Sequence, residues 1–131
     1  ALAQAPPFRE LPAVLLDVPC SGTGTFRRHP DARWRLTQDT LRALGRIQRD
    51  ILDASAAALA RGGVLVYSTC TLEEEENQGQ VESFLARTQG FALEPSNTLP
   101  ARFMDEEGFL SITPQSAGFD GAFAARLVRR A

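Results

Sequence analysis

An open α/β sheet is the fold class that the sequence predicts, and three observations predict it. Two apolar runs, Ala13 to Val18 and Val64 to Ser68, lack polar alternation, as strands covered on both faces do. Between them, apolar residues recur at three- and four-residue steps, the period of a helix. A second helical stretch and several short strand-like runs follow, so the order is strand, helix, strand, helix, then strands.

Residues 1–12 carry Pro6, Pro7 and Pro12 and read as an irregular lead-in. The first strand then runs from Ala13 and breaks after Asp17 at Pro19. From Thr37 to about Arg61, Leu41, Leu44, Ile47, Ile51, Leu52 and Leu59 form the apolar stripe of a helix. Thr37 is its expected N-cap, and Asp39 lies in the first turn, where the helix dipole favours an acid. Gly62-Gly63 is expected to end the helix. The second strand, Val64 to Ser68, ends at Thr69-Cys70. A helix over Glu73 to Thr88 is predicted next, with acids in its first turn and Val81, Phe84 and Leu85 on its apolar face. Phe91 to Glu94 reads as a third strand. Gly108 to Thr113 and Ala122 to Arg129 read as a closing antiparallel pair, whose loop includes Asp120-Gly121. There is no internal repeat and no low-complexity tract.

A chain of 131 residues suffices for one domain with a core, and 44% hydrophobic with 23% charged residues is ordinary for a globular protein. The net charge of −2 excludes a whole-surface attraction to nucleic acid. All 14 basic residues are arginine, and they are unevenly spread: Arg27, Arg28, Arg33 and Arg35 crowd one stretch, while Glu73 to Glu76 form an acidic run. Two cysteines are too few for a disulfide framework. No segment approaches the roughly 18 apolar residues of a membrane span, and the N-terminus lacks a signal-peptide pattern. A reducing, cytoplasmic setting is the expectation.

The chemistry concentrates at the strand ends. If the first two strands are parallel neighbours, their carboxyl ends lie roughly 5 Å apart on one edge of the sheet, where open α/β sheets bind ligands. Cys20 and Cys70 each follow one of those ends, in "DVPCSGTG" and "STCTLEEEEN". The spacing therefore predicts two thiols facing one cleft. Two ordinary half-buried cysteines are the plain alternative. A closed zinc site wants about four ligands, and only His29 could join the two cysteines, so no metal is expected. A cysteine phosphatase would need Cys-x5-Arg, but that spacing from Cys20 falls on Phe26, and Pro19 stands where a histidine is usual. A nucleotide-hydrolase phosphate loop fails for want of Gly-Lys-Ser/Thr. Arg27, Arg28, Arg33 and Arg35 suit phosphate contacts and base stacking, or are a solvated cluster. His29 reads as a surface residue and Trp34 as packing.

Three stretches, "DVPCSGTGTFRRHPDARW", "LVYSTCTLEEEEN" and "DGAFAARLVRR", resemble in order and spacing three successive motifs of the Nop/Sun-type RNA cytosine-5 methyltransferases, whose best-known bacterial members modify small-subunit ribosomal RNA. The resemblance covers nearly the whole chain from Val14 onward. It implies a Rossmann-like class I methyltransferase fold and S-adenosylmethionine as cofactor. Cys70, in the Thr-Cys motif, would be the nucleophile that adds to cytosine C6. Cys20, in the Pro-Cys motif, would help to break the adduct afterwards. Asp17 would lie beside cofactor and base, while Pro19, Arg27 and Arg28 would meet the RNA. The family's Gly-rich cofactor loop and its ribose-binding acid have no counterpart here. Residues 1–131 therefore resemble the C-terminal half of the catalytic domain, supplying the fourth, fifth, seventh and sixth strands side by side. The fourth strand, which is the first of this chain, would then be an open edge where the family's first strand should pair, and a partner chain or a dimer contact could cover it. A rival reading from another class is a non-catalytic RNA-binding module that keeps the fold and the arginines.

Overall fold

The structure, a computed structural model, describes residues 9–25, 36–114 and 120–131. Strand β1, Leu11–Asp17, leads by way of helix α1, Gln38–Ala58, into strand β2, Leu59–Thr69. Helix α2, Gln78–Arg87, and strands β3, Phe91–Leu93, β4, Leu110–Ile112, and β5, Ala122–Arg129, follow. The sheet order is β1-β2-β5-β3, with β4 pairing β5 as well. β1 and β2 are parallel, Leu15 facing Val66 and Asp17 facing Ser68. β5 runs antiparallel to β2, β3 and β4. This is the expected order, with the last strand inserted between the second and the third.

Burial alternates along β2 and β5, and Leu65, Tyr67, Phe123, Ala125 and Leu127 are almost completely buried. They form one core with Leu52 and Ala56 of α1 and Val81 and Phe84 of α2, so the helices cover that sheet face. The other face is less covered at β1: Leu15 is 73% exposed, although the apolar run predicts a strand buried on both faces. β1 is also the outermost strand of the sheet, so its far edge has no ladder partner among the described residues.

Thr37 caps α1 as expected, its Oγ1 accepting the Thr40 N–H at 3.1 Å. The helix stops at Ala58, however, three residues before the expected end. Leu59 is already extended and paired with Leu11, and residues 60–63 loop out between the Leu11–Leu59 and Ala13–Val64 pairs. They bulge opposite Pro12, which has no N–H to give a ladder. Gly62, at φ +81°, turns that bulge rather than a helix cap. The second helix also differs at its start. Glu74–Glu76 form a separate 3-10 turn, Asn77 breaks the geometry at φ −107°, ψ −106°, and α2 has no acid in its first turn. The acidic run therefore does not serve the dipole of α2, because Glu76 and Asn77 turn inward beneath the strand ends.

Candidate functional site

The two cysteine turns meet at the carboxyl edge of β1 and β2. Val18 N–H still bonds the Ser68 carbonyl at 3.2 Å, so the parallel pairing carries both chains past the last strand residues side by side. Beyond that point both turn, and the Cys20 and Cys70 sulfurs come to 3.3 Å, each half-buried. Both sulfurs lie in turns at the sheet edge rather than inside packed hydrocarbon. Burial pushes the Cys20 thiol up to about 12; backbone hydrogen bonds with Cys70 and Gly22 oppose that rise, and the neighbouring Cys70 side chain adds to it. At neutral pH Cys20 therefore keeps its proton.

Four small residues after Cys20 allow this approach. Gly22 takes φ +73°, where a side chain is strained. Gly24 lies flat against the second turn: its N–H donates to the Cys70 carbonyl at 3.0 Å, and its own carbonyl accepts the Gly121 N–H at 2.9 Å. A Cβ on Gly24 would stand 2.5 Å from the Cys70 oxygen and 3.0 Å from the Gly121 oxygen. Gly121, expected with Asp120 only as the turn of the closing pair, thus clamps the Pro-Cys loop from behind.

Beneath the turns lies a buried polar network that the sequence reading missed. Glu76 is 1% exposed. Its Oε1 accepts the Ser21 backbone N–H at 2.8 Å and the Gln48 amide at 3.0 Å. Its Oε2 accepts the Ser21 hydroxyl at 2.6 Å and the Thr71 hydroxyl at 2.7 Å. Gln48 reaches the Pro19 carbonyl as well, at 2.9 Å. Asn77 holds the second turn from both sides, accepting the Thr69 hydroxyl at 2.5 Å and donating to the Thr71 carbonyl at 2.9 Å. Tyr67 donates to the Glu76 carbonyl at 2.6 Å, and burial together with the Glu76 charge raises its phenol well above the usual range. Among the described residues no buried side-chain polar atom lacks a partner. The one available signal was Gln48, a polar residue at three- and four-residue spacing from Leu44, Ile51 and Leu52 on the apolar stripe of α1.

Asp17 ends β1 with its side chain exposed at the same edge, and no described group bonds its carboxylate. Pro19 is exposed between Asp17 and Cys20. Arg27 and Arg28, with His29, Arg33, Trp34 and Arg35, lie outside the described residues. Among the described residues no group of three or more His, Cys, Asp or Glu could hold a metal ion, and no helix is long and apolar enough to cross a membrane.

Known proteins share this fold. The solved structure of PH0851 superposes with a TM-score of 0.83 at 32% identity, covering 96% of this chain and 29% of that one. The structure of NSun6 from Pyrococcus horikoshii with SFG gives a TM-score of 0.76 at 33% identity, over 89% of this chain and 29% of that one. The chain is 44% identical over 116 residues to ribosomal RNA small subunit methyltransferase B of Thermus thermophilus, 88% of this chain and 29% of the relative. It is 44% identical over 120 residues to ribosomal RNA small subunit methyltransferase F of Serratia proteamaculans, 88% of this chain and 25% of the relative. The chain thus spans between a quarter and three-tenths of the length of these relatives. Its fold is the Rossmann-like fold of Sun/Nop methyltransferases. The family described as 16S rRNA methyltransferase RsmB/F matches residues 6–128, taking in both cysteine turns, Glu76, Asn77 and both helices; the chain belongs to that family.

Proposed function

We propose that the complete protein carrying this chain is an S-adenosylmethionine-dependent RNA cytosine-5 methyltransferase acting on ribosomal RNA. The observation that carries this reading is the pair of thiols 3.3 Å apart at the carboxyl edge of a parallel strand pair. Relatives named as ribosomal RNA methyltransferases, and a structural neighbour solved with SFG, an analogue of S-adenosylmethionine, support it.

C5 of cytosine is a poor nucleophile. The Cys70 thiolate adds to C6, and the displaced electron pair makes C5 nucleophilic. S-adenosylmethionine, when bound, supplies the electrophilic methyl group. Asp17 fits a place beside it: its exposed carboxylate at the sheet edge is free to accept from a cofactor or from the cytosine amino group. Loss of the C5 proton to solvent then re-forms the C5–C6 double bond and expels Cys70 as thiolate. Cys20, held as S–H 3.3 Å away, keeps its proton and stabilises the departing thiolate by a hydrogen bond. Arg27 and Arg28 contact RNA phosphates in this reading, and Pro19 lines the base site.

The proposal extends to domain organisation. Residues 1–131 form the C-terminal half of the catalytic domain, and the outer edge of β1, with exposed Leu15 beside it, pairs with a strand of the cofactor-binding half. Alone, the 131 residues bind S-adenosylmethionine weakly and transfer no methyl group; tight binding by calorimetry refutes this part. In the complete enzyme, Cys70→Ser abolishes methyl transfer and Cys20→Ala accumulates covalent enzyme–RNA adduct on denaturing gels. The roles are reversed if Cys20→Ala abolishes adduct while Cys70→Ser does not. A non-catalytic RNA-binding module would bind RNA unaffected by loss of either thiol, with a salt dependence set by its arginines.

A further inference from the structure

We propose that Glu76 is a positioning residue whose buried carboxylate holds the Cys20 turn and the Cys70 turn in one frame, so that both thiols face the same base. The inference rests on the proposed two-thiol chemistry and deepens it. The residue next to each cysteine is tied to this single carboxylate: Ser21 through its N–H and hydroxyl, Thr71 through its hydroxyl. A third tie, from Gln48, fixes the carboxylate to α1 and the Pro19 carbonyl to the same amide.

The proton count explains why an acid stands there. Ser21 and Thr71 each have one hydroxyl proton, and both can go to Oε2. The Thr23 hydroxyl, 2.9 Å from Thr71 Oγ1, can supply its proton there while accepting the Leu72 N–H at 2.8 Å. Four donors thus converge on two carboxylate oxygens, a demand that an ionised acid meets without a proton of its own. Glu76 itself touches no solvent-facing part of the cleft, so it acts through the two turns and not on the substrate.

Glu76→Gln can keep this frame. Its amide oxygen takes the place of Oε1, and its NH2 group donates to the Ser21 and Thr71 hydroxyl oxygens after those hydroxyls rotate. Glu76→Ala cannot, because both turns then lose their common partner. Diamide reads the geometry directly in the complete protein. It takes two protons and two electrons from the Cys20 and Cys70 thiols, becoming the hydrazine as the S–S bond forms, and the linked peptide is identified by mass spectrometry. At a matched interval below each variant's Tm, Glu76→Gln is expected to cross-link within about threefold of wild type and Glu76→Ala about tenfold or more slowly. In methyl transfer, Glu76→Ala lowers kcat by about a hundredfold while KM for RNA stays within about twofold. Should Glu76→Ala not fold, Thr71→Val removes one tie with nearly the same volume, and the expectation is a several-fold slower cross-link.

Wild-type cross-linking in Glu76→Ala or, where that variant does not fold, in Thr71→Val overturns the inference. So does an equal loss in Leu127→Ala, a core cavity in β5, because general loosening would then explain the effect. If cross-linking follows Glu76 but cytosine C5 is never methylated, the proposed reaction fails and the positioning role stands.

Discussion

Replacing Gly24 by alanine tests how tightly the two turns are packed. The new Cβ would lie 2.5 Å from the Cys70 carbonyl oxygen, against an ordinary carbon–oxygen contact of about 3.3 Å. Something must therefore move by about 0.8 Å. Retreat is blocked, since the Gly121 oxygen and Cα stand at 3.0 and 3.1 Å from the same Cβ, and every atom named is backbone. Overpacking of this kind costs about 1–3 kcal/mol, and the Gly24–Cys70 hydrogen bond adds about 1 kcal/mol if it breaks. For a domain of this size that total lowers Tm by roughly 5–15 °C. A displacement near 1 Å at a reacting group costs on the order of 100-fold in rate, so single-turnover methyl transfer should fall by that order well below the lowered Tm. Gly62→Ala is the comparison, because its φ of +81° brings backbone strain with no atom within 4 Å of the new Cβ. It should lose about 1 kcal/mol of stability and no activity. If Gly24→Ala melts and reacts like wild type, the two turns do not touch as described, and the account of the thiol pair fails with them.

Other expectations follow from single contacts. Cys20, pushed up to about 12, should resist iodoacetamide through pH 9, where about one thiol in a thousand would be ionised; half-labelling near pH 9 contradicts the burial argument. Because the folded state holds that proton more tightly than the unfolded chain, the Cys20 contribution to stability is complete below about pH 9. It is lost as pH rises toward 12, a slope that Cys20→Ala should reduce in alkaline unfolding curves. Asn77→Asp keeps the acceptor for Thr69 but sets a carboxylate oxygen against the Thr71 carbonyl, so urea unfolding should show a loss of about 2–3 kcal/mol. Tyr67→Phe leaves the Glu76 carbonyl short of a buried donor and should cost about 1–2 kcal/mol, with little change in methyl transfer.

The elements that were legible in the sequence are those with local or periodic causes. Thr37 announces the start of α1, the three- and four-residue steps of Leu44, Ile51 and Leu52 give its buried face, and the apolar runs give β1 and β2. The convergence of Cys20 and Cys70 was legible too, since parallel neighbours must end on one edge. The end of α1 was not, because Leu59 leaves the helix for a pairing with Leu11 nearly fifty residues away, and Gly62-Gly63 looks the same as a cap or a bulge. The acidic run was misread for a related reason. By composition four glutamates make a solvated helix start, and only a tertiary contact tells Glu76, 1% exposed, from its neighbours Glu74 and Glu75 at the surface.

That difference bears on why the site needs a third element. Parallel pairing aligns β1 and β2 only as far as the Val18–Ser68 bond, and the cysteines lie two residues beyond it on each chain. Past the ladder, each turn would wander independently, with roughly 1–2 kcal/mol of backbone freedom per residue opposing any fixed thiol separation. The carboxylate of Glu76, the amide of Asn77 and the bare face of Gly24 replace the missing ladder with contacts of a different kind. Each acts on a residue adjoining a cysteine, or on its carbonyl, and not on a sulfur. Under the proposed reaction, two thiols that in turn form and break a bond to one base need this combination: a frame rigid enough to fix their spacing, with its side-chain ties made to the neighbouring residues rather than to the reacting sulfurs.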